Sequence, residues 1–270
     1  MNSERKTSHR FLDEVGDTTF FGKGRIVSVG RPGVSLSFAL GMVKFEIDLR
    51  RIRREIKELQ KVIENDEYLN KIPSVRKRIE GGGFFFHATD DTPEVRERLI
   101  RYIKETPCSL EMIIGRKIPS LFAKKHHNKE TEFYADMLSH LLKNKFMQDQ
   151  KLVLNIAERG SSTQHVNLQH ALEKAIERFA KTHPLSEISS QVVFNVQNPR
   201  TEPLLCISDY LCWSVHRVFE RGETRHYEYL KEKVALVIDL YDTEHYDGFQ
   251  NYYGRKKELT KNNKLSPPSS

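Results

Sequence analysis

The chain has 270 residues, 38% hydrophobic and 30% charged, so it can bury a sizeable core, and no stretch approaches the roughly 18 apolar residues of a membrane helix. With 44 Lys and Arg against 37 Asp and Glu, the formal net charge of +7 favours anionic partners such as nucleic acid without selecting one. Three cysteines are too few for a disulfide framework, and the N-terminus carries no apolar signal region, so a cytoplasmic protein with reduced thiols is expected.

Residues 9–15 read as a strand in which Phe11, Asp13 and Val15 share one face and Leu12 and Glu14 the other. Asp13 therefore points where its apolar neighbours point, which costs several kcal/mol unless a cation or hydrogen bonds compensate it. The plainer alternative is an edge strand with solvated acids. Gly16 and Asp17 end the strand in a turn. Residues 20–47 read as two more strands, a glycine-rich hairpin and then an apolar run from Ser35, giving an antiparallel meander.

Asp48 is placed to cap a helix with Ile52, Ile56, Leu59 and Ile63 at helical spacing. Arg50, Arg51, Arg53, Arg54, Lys57 and Lys61 crowd its other faces. They suit phosphate contacts, or a solvated surface balanced by Glu55, Glu58 and Glu64. A polar, basic connection is expected over 66–80 and a buried strand at Phe84-Phe85-Phe86-His87. The triple glycine before that strand is no phosphate loop, because such a loop follows its strand and leads into a helix.

Pro93 opens a helix to about Thr106, residues 109–114 form a strand, and residues 131–146 form a helix. The almost wholly apolar 151–157 reads as a central strand covered on both faces. Glu158 stands at its end, sharing a face with Leu152, Leu154 and Ile156. A turn at 159–162 leads into a helix carrying Leu168, Ala171, Leu172, Ala175, Ile176 and Phe179. After a strand at 191–196, Pro203 starts a helix bearing Asp209, which has no cation three or four residues away. A last helix is expected over 226–240. Residues 1–254 then form a single domain with helical insertions, and 255–270 a disordered tail.

Asp13, Glu158 and Asp209 thus come from three separate elements, as a divalent-metal site built on carboxylates requires. Zinc motifs are absent: there is no Cys-x-x-Cys or His-Glu-x-x-His, and the adjacent His126 and His127 cannot both face one site on a helix. His87 reads either as a proton shuttle or donor beside the metal, or as a structural histidine.

Residues 13–17, Phe86-His87-Ala88-Thr89-Asp90, the apolar strand ending in Glu158, and Leu205-Cys206-Ile207-Ser208-Asp209-Tyr210-Leu211 resemble the bacterial and phage family of domains of unknown function numbered thirty-eight hundred. The resemblance spans most of 10–240. It implies a ribonuclease H-like α/β fold, a mixed sheet of an antiparallel meander plus parallel strands flanked by helices, with Asp13, Glu158 and Asp209 as ligands of Mg²⁺ or Mn²⁺. Glu14 or Asp17 would be a fourth or outer acid, and His87 and Asp90 supporting groups. The sequence departs from the family's usual Asp-Glu-Ser-Gly-Asp at Val15, and from its Gln-x-Ala-Asp at Cys206 and Ser208.

The resulting expectation is a metal-dependent nuclease acting on DNA or RNA, with residues 50–61 approaching the backbone. The alternative is a non-catalytic nucleic-acid-binding or effector subunit that works through partner proteins or as a homo-oligomer.

Overall fold

The computed structural model describes residues 6–146, 150–158 and 165–267. The first strand, β1 (Lys6–Gly16), is followed by β2 (Ser37–Phe45) and β3 (Cys108–Arg116), and these three make the antiparallel meander. β4 (Gln150–Ala157) lies parallel to β1 on its other side, and β5 (Gln191–Gln197) parallel to β4. β6 (Val234–Asp239) lies parallel to β3, and the short β7 (Tyr252–Tyr253) closes that edge. The order is β5-β4-β1-β2-β3-β6-β7, one mixed sheet with β1 in its interior. Alternation along β1 sends Phe11 into the core on one face and Leu12 into the core on the other.

Helices α1 (Leu49–Asn65), α2 (Pro73–Glu80), α3 (Pro93–Glu105) and α7 (Leu205–Arg221) pack with Phe11. Helices α4 (Pro119–His126), α5 (Glu130–Leu142) and α6 (His165–Ala180) pack with Leu12. Asp48 caps α1 by accepting from the Arg50 N–H at 3.1 Å, and Ile52, Ile56 and Ile63 are its buried positions. No helix among the described residues is long and apolar enough to cross a membrane.

Five expectations are corrected. Residues 20–34 add no strand to the sheet: the hairpin there closes on a single bridge, Phe21 to Val27, and Phe20 stacks on Phe122 with centroids 3.8 Å apart. The 66–80 connection is helical, because Leu69 and Val75 are buried and Pro73 suits the first turn of α2. Phe84 and Phe86 are buried as expected, but the run to His87 pairs with no strand, since side chains replace the ladder. Glu64 accepts from the Phe84 N–H at 2.6 Å, Arg78 donates to the Phe85 carbonyl at 2.8 Å, and Asp91 accepts from the His87 N–H at 3.0 Å.

The expected helix over 226–240 is instead a short α8 (Arg225–Leu230) followed by β6. Its run Val-Ala-Leu-Val-Ile-Asp sends Val237 to one core and Ile238 to the other, the burial of an interior parallel strand. The expected disordered tail docks: Leu259 and Leu265 are buried, the Leu265 N–H donates to the Phe219 carbonyl at 2.7 Å, and Thr260 and Asn263 make a capping box. The turn expected at 159–162 lies outside the described residues.

Candidate active site

The candidate site lies at the carboxyl ends of β1 and β4, under α7. Asp13 pairs in register with Gly41 on β2, and a Cβ on Gly41 would stand 2.1 Å from the Cys212 sulfur. Only a glycine lets α7 approach the sheet this closely. The Ser208 hydroxyl fixes the contact by donating to the Phe11 carbonyl at 3.0 Å. Asp209, three residues before Cys212 on the same helix face, is thereby brought over β1. Burial pushes the Cys212 thiol well up, and the negative charges of both Asp13 and Asp209 add to it. Two acids 196 positions apart in sequence thus flank one thiol.

A cavity of about 410 Å³ opens there, lined by Asp13, Glu14, His87, Glu158 and Asp209 among others. Asp209 is half-buried and accepts from the Ala88 N–H at 2.7 Å. Burial raises its pKa to about 6, against the pull of His87 and of that N–H, and Asp91 and Asp90 push the same way as burial. Asp13 accepts from the Glu14 N–H at 2.8 Å. Glu14 is buried and Glu158 exposed. Leu12 pairs with Ile156, so continuing the β1–β4 register sets Glu158 beside Glu14 rather than Asp13.

The segment 87–91 is a tight turn, with the Asp90 and Asp91 N–H groups donating to the His87 carbonyl at 3.1 and 2.9 Å. Asp91 anchors it from below: its buried carboxylate meets Arg78 at 2.6 Å and accepts from the Tyr210 hydroxyl. Arg96 ties down the Ala88 and Asp91 carbonyls. The His87 ring stays half-exposed, its Nδ1 3.2 Å from Asp90. None of Asp91, Arg78, Gly41 and Cys212 stands out in the sequence as part of a site, and Tyr210 does so only as a motif neighbour of Asp209, because each acts by supporting another group.

Asp17 does not join these acids. Its carboxylate accepts from the Ser35 N–H and hydroxyl, both at 2.7 Å, and meets the buried Lys117 ammonium at 2.9 Å. Burial opposes ionisation, but the Ser35 and Lys117 contacts win and hold its pKa below the usual carboxylate range. It is a structural turn residue. His126 is likewise structural, buried at the end of α4 with Nε2 3.1 Å from Asp136.

On α1, Arg53 is taken by the buried Glu202, in a bidentate pair with contacts of 2.7 and 3.0 Å, and Arg51 by Glu55 at 2.7 Å. Arg50, Arg54, Lys57 and Lys61 are exposed, with no hydrogen bond or ion pair of their side chains among the described residues. Arg53 therefore anchors α1 to the Pro199–Leu205 stretch, whose end residues line the acid cavity.

Among the described residues, one group of three has ligand atoms within 4.8 Å of one another and can hold a metal ion: Asp242, Glu244 and His245. Asp13, Glu158 and Asp209 share a cavity without meeting that spacing. No family model, curated protein or solved structure matches the chain, so the family resemblance rests on its motif residues.

Proposed function

We propose that this protein is a divalent-metal-dependent nuclease whose site is the cavity of Asp13, Glu158 and Asp209. The observation that carries this reading is the convergence of acids from β1, the end of β4 and α7 on one cavity, with Asp209 held there although burial disfavours its charge. A half-buried carboxylate of raised pKa beside a second acid is a group that a cation would relieve. Asp13 and Asp209 would be the inner ligands, Glu158 and Glu14 outer or second-ion ligands, and Mg²⁺ or Mn²⁺ would supply an activated water and charge neutralisation for phosphodiester hydrolysis. His87, half-exposed at the cavity, suits proton transfer. The mixed sheet agrees with a ribonuclease H-like reading. Exposed Arg50, Arg54, Lys57 and Lys61, on a helix anchored beside the cavity wall, supply the basic surface for a DNA or RNA backbone.

A second reading has one observation in its favour. The acids are spread wider than the ligands of one ion, which suits a subunit that binds nucleic acid and becomes catalytic, if at all, only with a partner protein. Incubating the protein with labelled single- and double-stranded DNA and RNA in Mn²⁺ separates the two. The nuclease reading expects cleavage that Asp13→Asn and Asp209→Asn each abolish; binding without cleavage by the wild type supports the alternative.

A further inference from the structure

We propose that Asp242, Glu244 and His245 form a second metal site, for a divalent first-row transition metal of the Zn²⁺ type, independent of the acid cavity. The three stand at i, i+2 and i+3 in the segment between β6 and β7. All three line a cavity of about 390 Å³ that residues of the docked C-terminal segment, Asn262 to Ser266, also line. Two carboxylates and one imidazole make a mixed oxygen and nitrogen donor set. Such a set suits zinc and its neighbours, whereas Mg²⁺ and Ca²⁺ favour oxygen alone.

Asp242 supplies an independent observation. Its side chain is 1% exposed, and its Oδ1 has no hydrogen-bond donor among the described residues. Its Oδ2 meets Arg116 at 2.6 Å and His245 Nδ1 at 2.8 Å. Arg116 also serves the buried Asp239 at 2.7 Å, so one guanidinium is divided between two buried carboxylates, with the exposed Glu244 a third acid nearby. Lys117 lines the same cavity but is spent on Asp17, and Lys264 is exposed. A buried carboxylate oxygen without a donor, in a locally acidic cluster, is a position that a cation satisfies.

The ligand atoms of all three lie within 4.8 Å of one another, and the His245–Asp242 pair is already close. Two ligands bound at about 2.1 Å in a tetrahedral site lie about 3.4 Å apart. Opening the 2.8 Å contact between His245 Nδ1 and the Asp242 carboxylate to that spacing therefore asks for a movement of about half an ångström. The half-exposed His245 ring can make it. Bound there, the ion would tie the segment after β6 to the end of the sheet and stabilise the chain by mass action.

The test is calorimetric titration of ZnCl₂ into protein stripped with EDTA and dialysed, for wild type, Glu244→Gln/His245→Gln and Asp209→Asn. Both side chains in the double variant are exposed, so its Tm in EDTA should stay within about a degree of wild type; if it fails to fold, Glu244→Gln alone serves. The expected result is that the double variant binds one equivalent fewer than wild type, or Glu244→Gln binds that equivalent about tenfold more weakly, while Asp209→Asn keeps it. Zn²⁺ binding by the variants that matches wild type, or no binding by wild type, overturns the site. Loss confined to Asp209→Asn also overturns it, by placing the ion in the acid cavity, and leaves the nuclease reading standing.

Discussion

Asp209 on α7 accepts the Ala88 backbone N–H at 2.7 Å, so the helix carrying one acid also holds the turn that presents His87. Because burial has raised the Asp209 pKa from 3.8 to about 6, its ionisation works against folding. The folded state binds the proton more tightly than the unfolded chain between these values. The stability due to the neutral carboxyl is therefore full below about pH 4, declines as pH rises, and is lost above about 6. In chelator, Asp209→Asn is expected to raise the Tm by several degrees at pH 7, corresponding to at most about 3 kcal/mol. It should also flatten the pH dependence over that window, as read from thermal melts between pH 4 and 7.

Arg53 and its neighbours separate a structural from a binding role. Arg53→Gln leaves the buried Glu202 carboxylate unpaired, and a loss of about 2 kcal/mol is expected in urea unfolding, since Arg53 is partly solvated. Replacing Arg50, Arg54 and Lys57 by Gln should leave stability unchanged. It should weaken nucleic-acid binding and reduce the slope of log affinity against log salt by about 0.7 to 0.9 for every phosphate that is no longer neutralised. An unchanged slope would place the binding surface elsewhere.

Asp91 should tolerate little. Removing its carboxylate by Asp91→Ala strands the buried Arg78 guanidinium and frees the His87 N–H, for an expected loss of about 3 kcal/mol. Tyr210→Phe removes one hydrogen bond, costing about 1 kcal/mol. Denaturant midpoints for the two variants check the ranking, and equal midpoints would contradict it.

Ending the chain at Gly254 removes two buried leucines, Leu259 and Leu265. At about 1.5 to 3 kcal/mol for each buried leucine, the truncated protein should melt at least several degrees below wild type. An unchanged Tm would contradict the docking of this segment on Phe219.

The sequence made the periodic elements legible. Alternation along β1 exposed Asp13 as an acid among core residues, and the apolar stripe of α7 placed Asp209 within a helix. What it did not reveal depends on partners distant in the chain. Asp17 looks as promising as Asp13 until Lys117 is seen to hold it. The apolar run Phe84–Phe86 reads as a buried strand, but side chains satisfy its backbone. The apolar run of β6 has no period that separates strand from helix. Leu259 and Leu265 are too sparse in polar sequence to announce a docked segment. Gly41 carries no sign of its role, because only the close approach of α7 requires it.

Binding of a divalent cation between Asp13 and Asp209 is read from the Mn²⁺-induced shift in Tm, measured in the Glu244→Gln/His245→Gln background so that the second site contributes nothing. Starting from EDTA-treated protein, millimolar Mn²⁺ is expected to raise the Tm of this background by several degrees, and that of the same protein carrying Asp13→Asn or Asp209→Asn by much less. A shift of equal size in all three proteins, or no shift in any, would contradict the account.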